Sequence, residues 1–129
     1  MKTNIYSIFI FSALLLSSCS NDDDTSTEGI RQNSCDLDKG NRKFTECCVE
    51  GPLTAKPESI FFANYTTTIS NPLYTWHVLG GSIEIIEGGN SATAKFRTKA
   101  NFVCDTIVGD SYSANGMSSC SDLIVITAN

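Results

Sequence analysis

The sequence predicts an all-β fold, an antiparallel two-layer sandwich of about seven short strands, stapled by disulfides and preceded by a segment outside the fold. Three observations predict it. β-Branched and aromatic residues come in short runs split by Gly, Pro, Asn and Ser, with no helix-period pattern of useful length. One run alternates with a period of two around the single Trp. Five cysteines from Cys35 onward are what a small domain in an oxidising compartment uses to supplement a limited core.

Residues 1–18 read as a processed leader. Met1-Lys2-Thr3-Asn4 is short with one positive charge, and Ile5 to Leu16 is nearly all apolar. Twelve such residues make roughly 18 Å of helix, short of the ~30 Å hydrocarbon core of a bilayer. Leu16-Ser17-Ser18-Cys19 resembles the lipobox of bacterial lipoproteins. That resemblance implies cleavage before Cys19, a diacylglyceryl group on its sulfur, and hence no disulfide at Cys19. Residues 19–29, with Asp22-Asp23-Asp24 and Glu28, are polar and acidic and predict a flexible tether. An acidic run at this place also resembles the signal that displays lipoproteins outside the outer membrane of some diderm bacteria. The expected address is therefore a lipid anchor in the outer membrane, at the cell surface, with the periplasmic face as the alternative.

Residues 30–48 form a cysteine-bearing lead-in of charged, turn-prone sequence, and residues 49–129 the sandwich. Five cysteines are left after Cys19: Cys35, Cys47, Cys48, Cys104 and Cys120. The expected bridges are Cys104–Cys120 and Cys35 to either Cys47 or Cys48, with Cys48–Cys120 as a rival. One thiol is then left over. Metal binding is not expected, because Cys47 and Cys48 are adjacent, no Cys-x-x-Cys pair exists and His77 is the only histidine.

The expected strands are Ser59–Ala63, Tyr65–Ser70, Leu73–Leu79, Ser82–Ile86, Ala92–Arg97, Phe102–Val108 and Asp122–Ala128. Turn chemistry separates them at Asn71-Pro72, Gly80-Gly81, Gly88-Gly89-Asn90 and Asn115-Gly116. In Leu73–Leu79, alternation puts Tyr74, Trp76 and Val78 on one face and Thr75, His77 and Leu79 on the other. Trp76, with Tyr74, is the expected core anchor. Ala92, Ala94 and Phe96 alternate with Thr93, Lys95 and Arg97, as in a half-buried strand. The continuous run Leu123-Ile124-Val125-Ile126 predicts a strand covered on both faces or sealed against the lead-in.

Pro72 to Ile83, then Gly88 to Phe96, resembles the immunoglobulin-like, PKD-like repeats of bacterial surface proteins: a Tyr-x-Trp-x-Val strand, a Gly-Gly turn, a second Gly-rich turn and an alternating strand. Asn115-Gly116 and Cys120 before the last strand resemble the way those modules close. The likeness covers residues 50 to 129 and implies an architecture, not an activity. Cys104 and the cysteines of the lead-in depart from the pattern.

Little chemistry is visible. His77 reads as a surface histidine on an outward strand position. Glu84 and Glu87 carry no spacing that demands a catalytic pair, and Asp22-Asp23-Asp24 lacks the spaced ligands of a calcium loop. Asp105-Thr106-Ile107 matches a short O-glycosylation acceptor pattern, for which a strand-interior Thr106 is the simpler reading. A net charge of −5 with no basic patch argues against nucleic acid.

The expected function is a non-catalytic binding or structural module of the cell envelope, without cofactor, contacting carbohydrate or protein. The alternative is a small inhibitor of a protease or other envelope enzyme, using Gly88–Ser91 or Asp110–Ser119 as protruding loops. A redox role for Cys47-Cys48, or an enzyme, is the weakest reading.

Overall fold

The computed structural model describes residues 35, 37 and 44–129. The leader 1–18, the lipidation at Cys19, the tether 19–29 and most of the lead-in lie outside the described residues. Two four-stranded sheets face each other. The first holds β1 (Cys47–Glu50), β3 (Ile60–Thr67), β6 (Thr93–Thr98) and β5 (Ile83–Glu87), in that order; the second holds β2 (Thr54–Ala55), β8 (Ser119–Ala128), β7 (Cys104–Tyr112) and β4 (Leu73–Val78). Every pair is antiparallel except β2 with β8, which is parallel. This order is an immunoglobulin-like sandwich.

Among the described residues, eight strands replace the expected seven. Ser59–Ala63 and Tyr65–Ser70 are one strand, β3. Asn64, read as a break, instead takes an outward position where the Thr93 hydroxyl donates to its Oδ1 at 2.8 Å. β1 and β2 are additional, and β1 starts at Cys47, inside the expected lead-in. They are two halves of one edge: after Glu50 the chain leaves β3, crosses at Gly51-Pro52 and joins β8. The crossing is tight, since a Cβ on Gly51 would lie 2.8 Å from Ile124 Cδ1 and 3.3 Å from Ala63 Cβ. Thr127 N–H then donates to the Leu53 carbonyl at 3.0 Å, securing the second half.

The core follows from alternation. From the first sheet Val49, Phe61, Ala63, Tyr65, Ile83, Ala94 and Phe96 turn inward; from the second come Trp76, Ile107, Ile124 and Ile126. Trp76 is 4% exposed and meets Tyr65 and Phe96 edge-on at centroid distances of 6.0 and 5.5 Å. Its indole N–H donates to the Ser91 carbonyl at 2.8 Å, so the polar end of the ring is satisfied where it is buried. Tyr74 is half-buried against the same cluster, with its ring edge toward Tyr65. The final apolar run is not covered on both faces. Ile124 and Ile126 are buried, but Leu123 is 47% exposed on the outer face of β8.

Alternation also explains the cysteines. Neighbours on a strand point to opposite faces, so Cys47 turns into the sandwich and Cys48 turns out. Cys47 bridges to Cys120 on β8, linking the two sheets, while Cys48 bridges to Cys35 of the lead-in. The expected Cys104–Cys120 bridge and its rival Cys48–Cys120 are therefore corrected to Cys47–Cys120. No described cysteine is free, Cys104 included, so the expected leftover thiol is corrected too. Beside the intersheet bridge, Asp122 Oδ2 accepts the Val49 N–H at 2.7 Å, which satisfies a donor on the open edge of β1.

Candidate functional site

The site with the clearest shape is an open cleft of about 380 Å³ at one end of the sandwich. Three segments build it: Phe44-Thr45 before β1, Thr68-Ile69-Ser70 after β3, and Ser113 to Ser118 between β7 and β8. Each is held in place locally. Thr68 N–H donates to the Glu46 carbonyl at 3.0 Å and Glu46 N–H donates to Thr68 Oγ1 at 3.0 Å, extending the β1–β3 ladder toward the cleft. In the third segment Ser113 N–H donates to the Ser118 carbonyl and Gly116 N–H to the Ser113 carbonyl, each at 2.9 Å. Asn115 Oδ1 accepts from Met117 N–H at 3.1 Å and from the Ser113 hydroxyl at 2.6 Å. Gly116 sits at φ 72°, the left-handed conformation that the Asn-Gly turn requires. The loop is thus fixed by its own bonds, and it leaves Met117 85% exposed.

The wall beneath the cleft is tied across the sheets by Tyr65. Its phenol donates to the Cys120 carbonyl at 2.7 Å and accepts from the buried Ser111 hydroxyl at 3.0 Å, and Ser111 Oγ lies 3.2 Å from Thr67 Oγ1. The ring packs so closely on β7 that a Cβ at Gly109 would lie 2.4 Å from Tyr65 Cδ2. Burial pushes the Tyr65 phenol above its ordinary pKa of 10.0, with Asp110, Asp122 and Tyr74 acting in the same direction and the Ser111 hydrogen bond opposing it. The sign follows from linkage. Only the unfolded chain releases this proton just above pH 10, so the stability due to neutral Tyr65 is complete below that pH and falls as pH rises through the folded pKa. Tyr65→Phe should lower the unfolding free energy by about 1–2 kcal/mol at pH 7. It should also remove this part of the alkaline decline, as urea melts at a series of pH values would read.

At the opposite end, Asp105 is a buried structural carboxylate. Oδ1 accepts from Gly80 N–H at 2.7 Å and from Thr106 N–H at 2.8 Å; Oδ2 accepts from Ser82 N–H and its hydroxyl, both at 3.0 Å, and from Ile83 N–H at 3.1 Å. The carboxylate therefore organises the Gly80-Gly81 turn, and Gly80 has to be glycine because a Cβ there would lie 2.4 Å from Oδ1. This role, with Thr106 inside β7, agrees with the simpler reading of Asp105-Thr106-Ile107 as strand interior. Asp105→Asn keeps the shape but turns an NH₂ toward N–H donors, and should cost about 2–3 kcal/mol in thermal or chemical unfolding.

His77 lies on the outer face of the second sheet, 54% exposed, with Nε2 at 2.9 Å from Asp110 Oδ2. The Ser121 hydroxyl donates to the other oxygen of Asp110. These are the residue types of a hydrolase triad in the wrong order: aspartate stands in the middle, and the serine hydroxyl faces the carboxylate, not the imidazole. The trio ties β4, β7 and β8 together across the sheet. Glu84 and Glu87 are likewise engaged, with Arg97 and Lys95 at 3.4 and 3.8 Å on the outer face of the first sheet. Lys95 also lies 5.7 Å from the ring centre of the exposed Phe62.

Of the Asp110–Ser119 segment expected as a loop, residues 113–118 lie between β7 and β8, and nothing in the sequence places Phe44, Thr45 or Thr68–Ser70 beside it. No family model and no curated protein matches the chain. Among solved structures, the crystal structure of the titin M3 domain is similar at 15% identity and a TM-score of 0.36, over 59% of this chain and 83% of that one.

Proposed function

We propose that this protein is a lipid-anchored, surface-exposed, non-catalytic binding module of a bacterial cell envelope. The observation that carries the reading is the cleft: an open concavity walled by pre-tied loops on a disulfide-fixed sandwich, where binding orders little new chain. Four carboxylates and the histidine support the same reading. Asp105 is consumed by a turn, His77 and Asp110 by a cross-strand bond, and Glu84 and Glu87 by ion pairs. Anchoring rests on Leu16-Ser17-Ser18-Cys19, and outward display on the acidic run that follows.

Two measurements test it. The mass of the N-terminal peptide of the mature protein should correspond to a diacylglyceryl thioether on Cys19. Cys104 is engaged and the other four described cysteines pair with one another, so the anchor requires that Cys19 is not the partner of Cys104, and a Cys19 found unlipidated or in a disulfide overturns it. Protease added to intact cells should remove the domain and, for a Cys19→Ser variant, find nothing attached to shave. Protection until the outer membrane is opened moves the protein to the periplasmic face. A second reading, a small inhibitor of an envelope or host protease, is favoured by one observation, the rigid β7–β8 loop with its protruding Met117. Inhibition of a protease panel that is abolished by Met117→Asp would select it.

A further inference from the structure

The cleft has a lining chemistry that narrows what it can hold. Among the described residues that line it there is no Lys, Arg, Asp or Glu. A phosphate, a sulfated or carboxylated polymer, or a charged peptide would lose hydration against these residues without gaining a counter-charge from them. The lining is not an apolar groove either, because six of its nine described residues carry a hydroxyl or an amide. Several of those groups are uncommitted. Among the described residues, the Thr45 and Ser70 hydroxyls have no partner within the chain. The Met117 N–H requires the oxygen of Asn115, not its nitrogen, to face the loop. The NH₂ of Asn115 is thereby left as a donor pair.

Against these neutral donors and acceptors stands one flat apolar surface, the ring of Phe44, which is 80% exposed. A residue of this kind gains by being covered, and the cleft beside it falls within the ~300–1,000 Å³ of ligand sites. A ligand that fits all three conditions has an apolar face for the ring, uncharged hydroxyls for Thr45, Ser70 and Asn115, and little net charge. Pyranose rings have that combination: axial C–H groups on one face and equatorial hydroxyls around the edge.

We infer that the cleft is a binding site for a neutral saccharide, with Phe44 as the stacking platform and Thr45, Ser70 and Asn115 as hydrogen-bonding partners. The assignment rests on the binding-module reading above and names the ligand class of that same cleft. The Cys35–Cys48 bridge contributes preorganisation, since Phe44 and Thr45 lie within the loop that it closes. Part of the ordering cost of the platform is met before the sugar arrives.

The test uses the full chain purified in detergent and immobilised α-mannan, β-1,3-glucan and galactomannan, with heparin as the polyanionic control, read by biolayer interferometry. The expected result is binding to at least one neutral polysaccharide and none to heparin. Phe44→Ala should weaken it by about tenfold or more, a change of ~1.4 kcal/mol. Thr45→Val should weaken it less, and both variants should melt like the parent because both side chains are exposed. Binding to none of the neutral polymers overturns the assignment, as does binding that Phe44→Ala leaves unchanged. Preference for heparin, or displacement of the sugar by an uncharged peptide at equal concentration, overturns it also. Protease shaving and the Cys19 peptide mass are independent of these results, so the anchored-module reading can survive the loss of the saccharide.

Discussion

Trp76→Ala lowers the unfolding free energy by about 3–5 kcal/mol, a large share of the ~5–15 kcal/mol available to a domain of this size. The loss has two sources. The indole fills the space between the sheets at the meeting point of Tyr65 and Phe96, and neither ring can move into the cavity without leaving its own contacts: Phe96 stacks on Phe61 at 5.2 Å and Tyr65 is pinned by its hydroxyl. The Ser91 carbonyl also loses its indole donor. Guanidinium melts of the oxidised protein read the effect as a lower midpoint at unchanged slope. A variant that unfolds with the parent would mean that Trp76 is not between the sheets, and the core described above would be wrong. Trp76→Phe should recover part of the packing and none of the hydrogen bond.

Joint replacement of Cys47 and Cys120 by alanine costs about 4 kcal/mol, the loop-closure value for the 73-residue separation of the pair. The corresponding figure for Cys35 and Cys48, 13 residues apart, is about 3 kcal/mol. The first bridge joins the sheets and the second joins the lead-in to one sheet. Loss of the first should therefore shift the melting of the whole domain, whereas loss of the second should shift it less. Differential scanning calorimetry of both double variants separates the two, and equal shifts would contradict the intersheet assignment of Cys47–Cys120. The double variants are the right comparison, because a single substitution leaves a thiol that can exchange with its neighbour.

The strands with strong alternation were legible in the sequence, and those that depend on the partner sheet were not. Tyr74-Thr75-Trp76-His77-Val78 and Ala94-Lys95-Phe96-Arg97 declare their faces, and both become strands with Trp76, Ala94 and Phe96 inside. β1 declares nothing. Val49 is its only fully buried side chain, and Cys47 becomes an inward residue only through its bond to β8. β2 is a strand of two residues created by the crossing at Gly51. Asn64 shows the limit of composition, since a turn-prone residue sits mid-strand wherever an outward position offers it a partner such as Thr93. The pairing of Cys35 with Cys47 or Cys48 holds, as Cys35–Cys48, but the partner of Cys120 was not legible, for a related reason. Spacing along the chain does not show which residues approach, but the opposite orientation of strand neighbours does separate Cys47 from Cys48. The cleft was the least legible feature, because its three segments meet only after folding and carry no motif in common.

The placement of the two bridges has a mechanical consequence. A pull applied between Cys35 and Ser118 travels through Cys35–Cys48, the peptide link to Cys47, Cys47–Cys120 and two more peptide links. That path is covalent throughout and bypasses the chain from residue 49 to residue 117. A load between the N-terminal side of the domain and the β7–β8 loop therefore never reaches the hydrogen bonds of the sheets. Under tension the oxidised protein should behave as a short inextensible link, and under reduction as a sandwich that can be unravelled strand by strand.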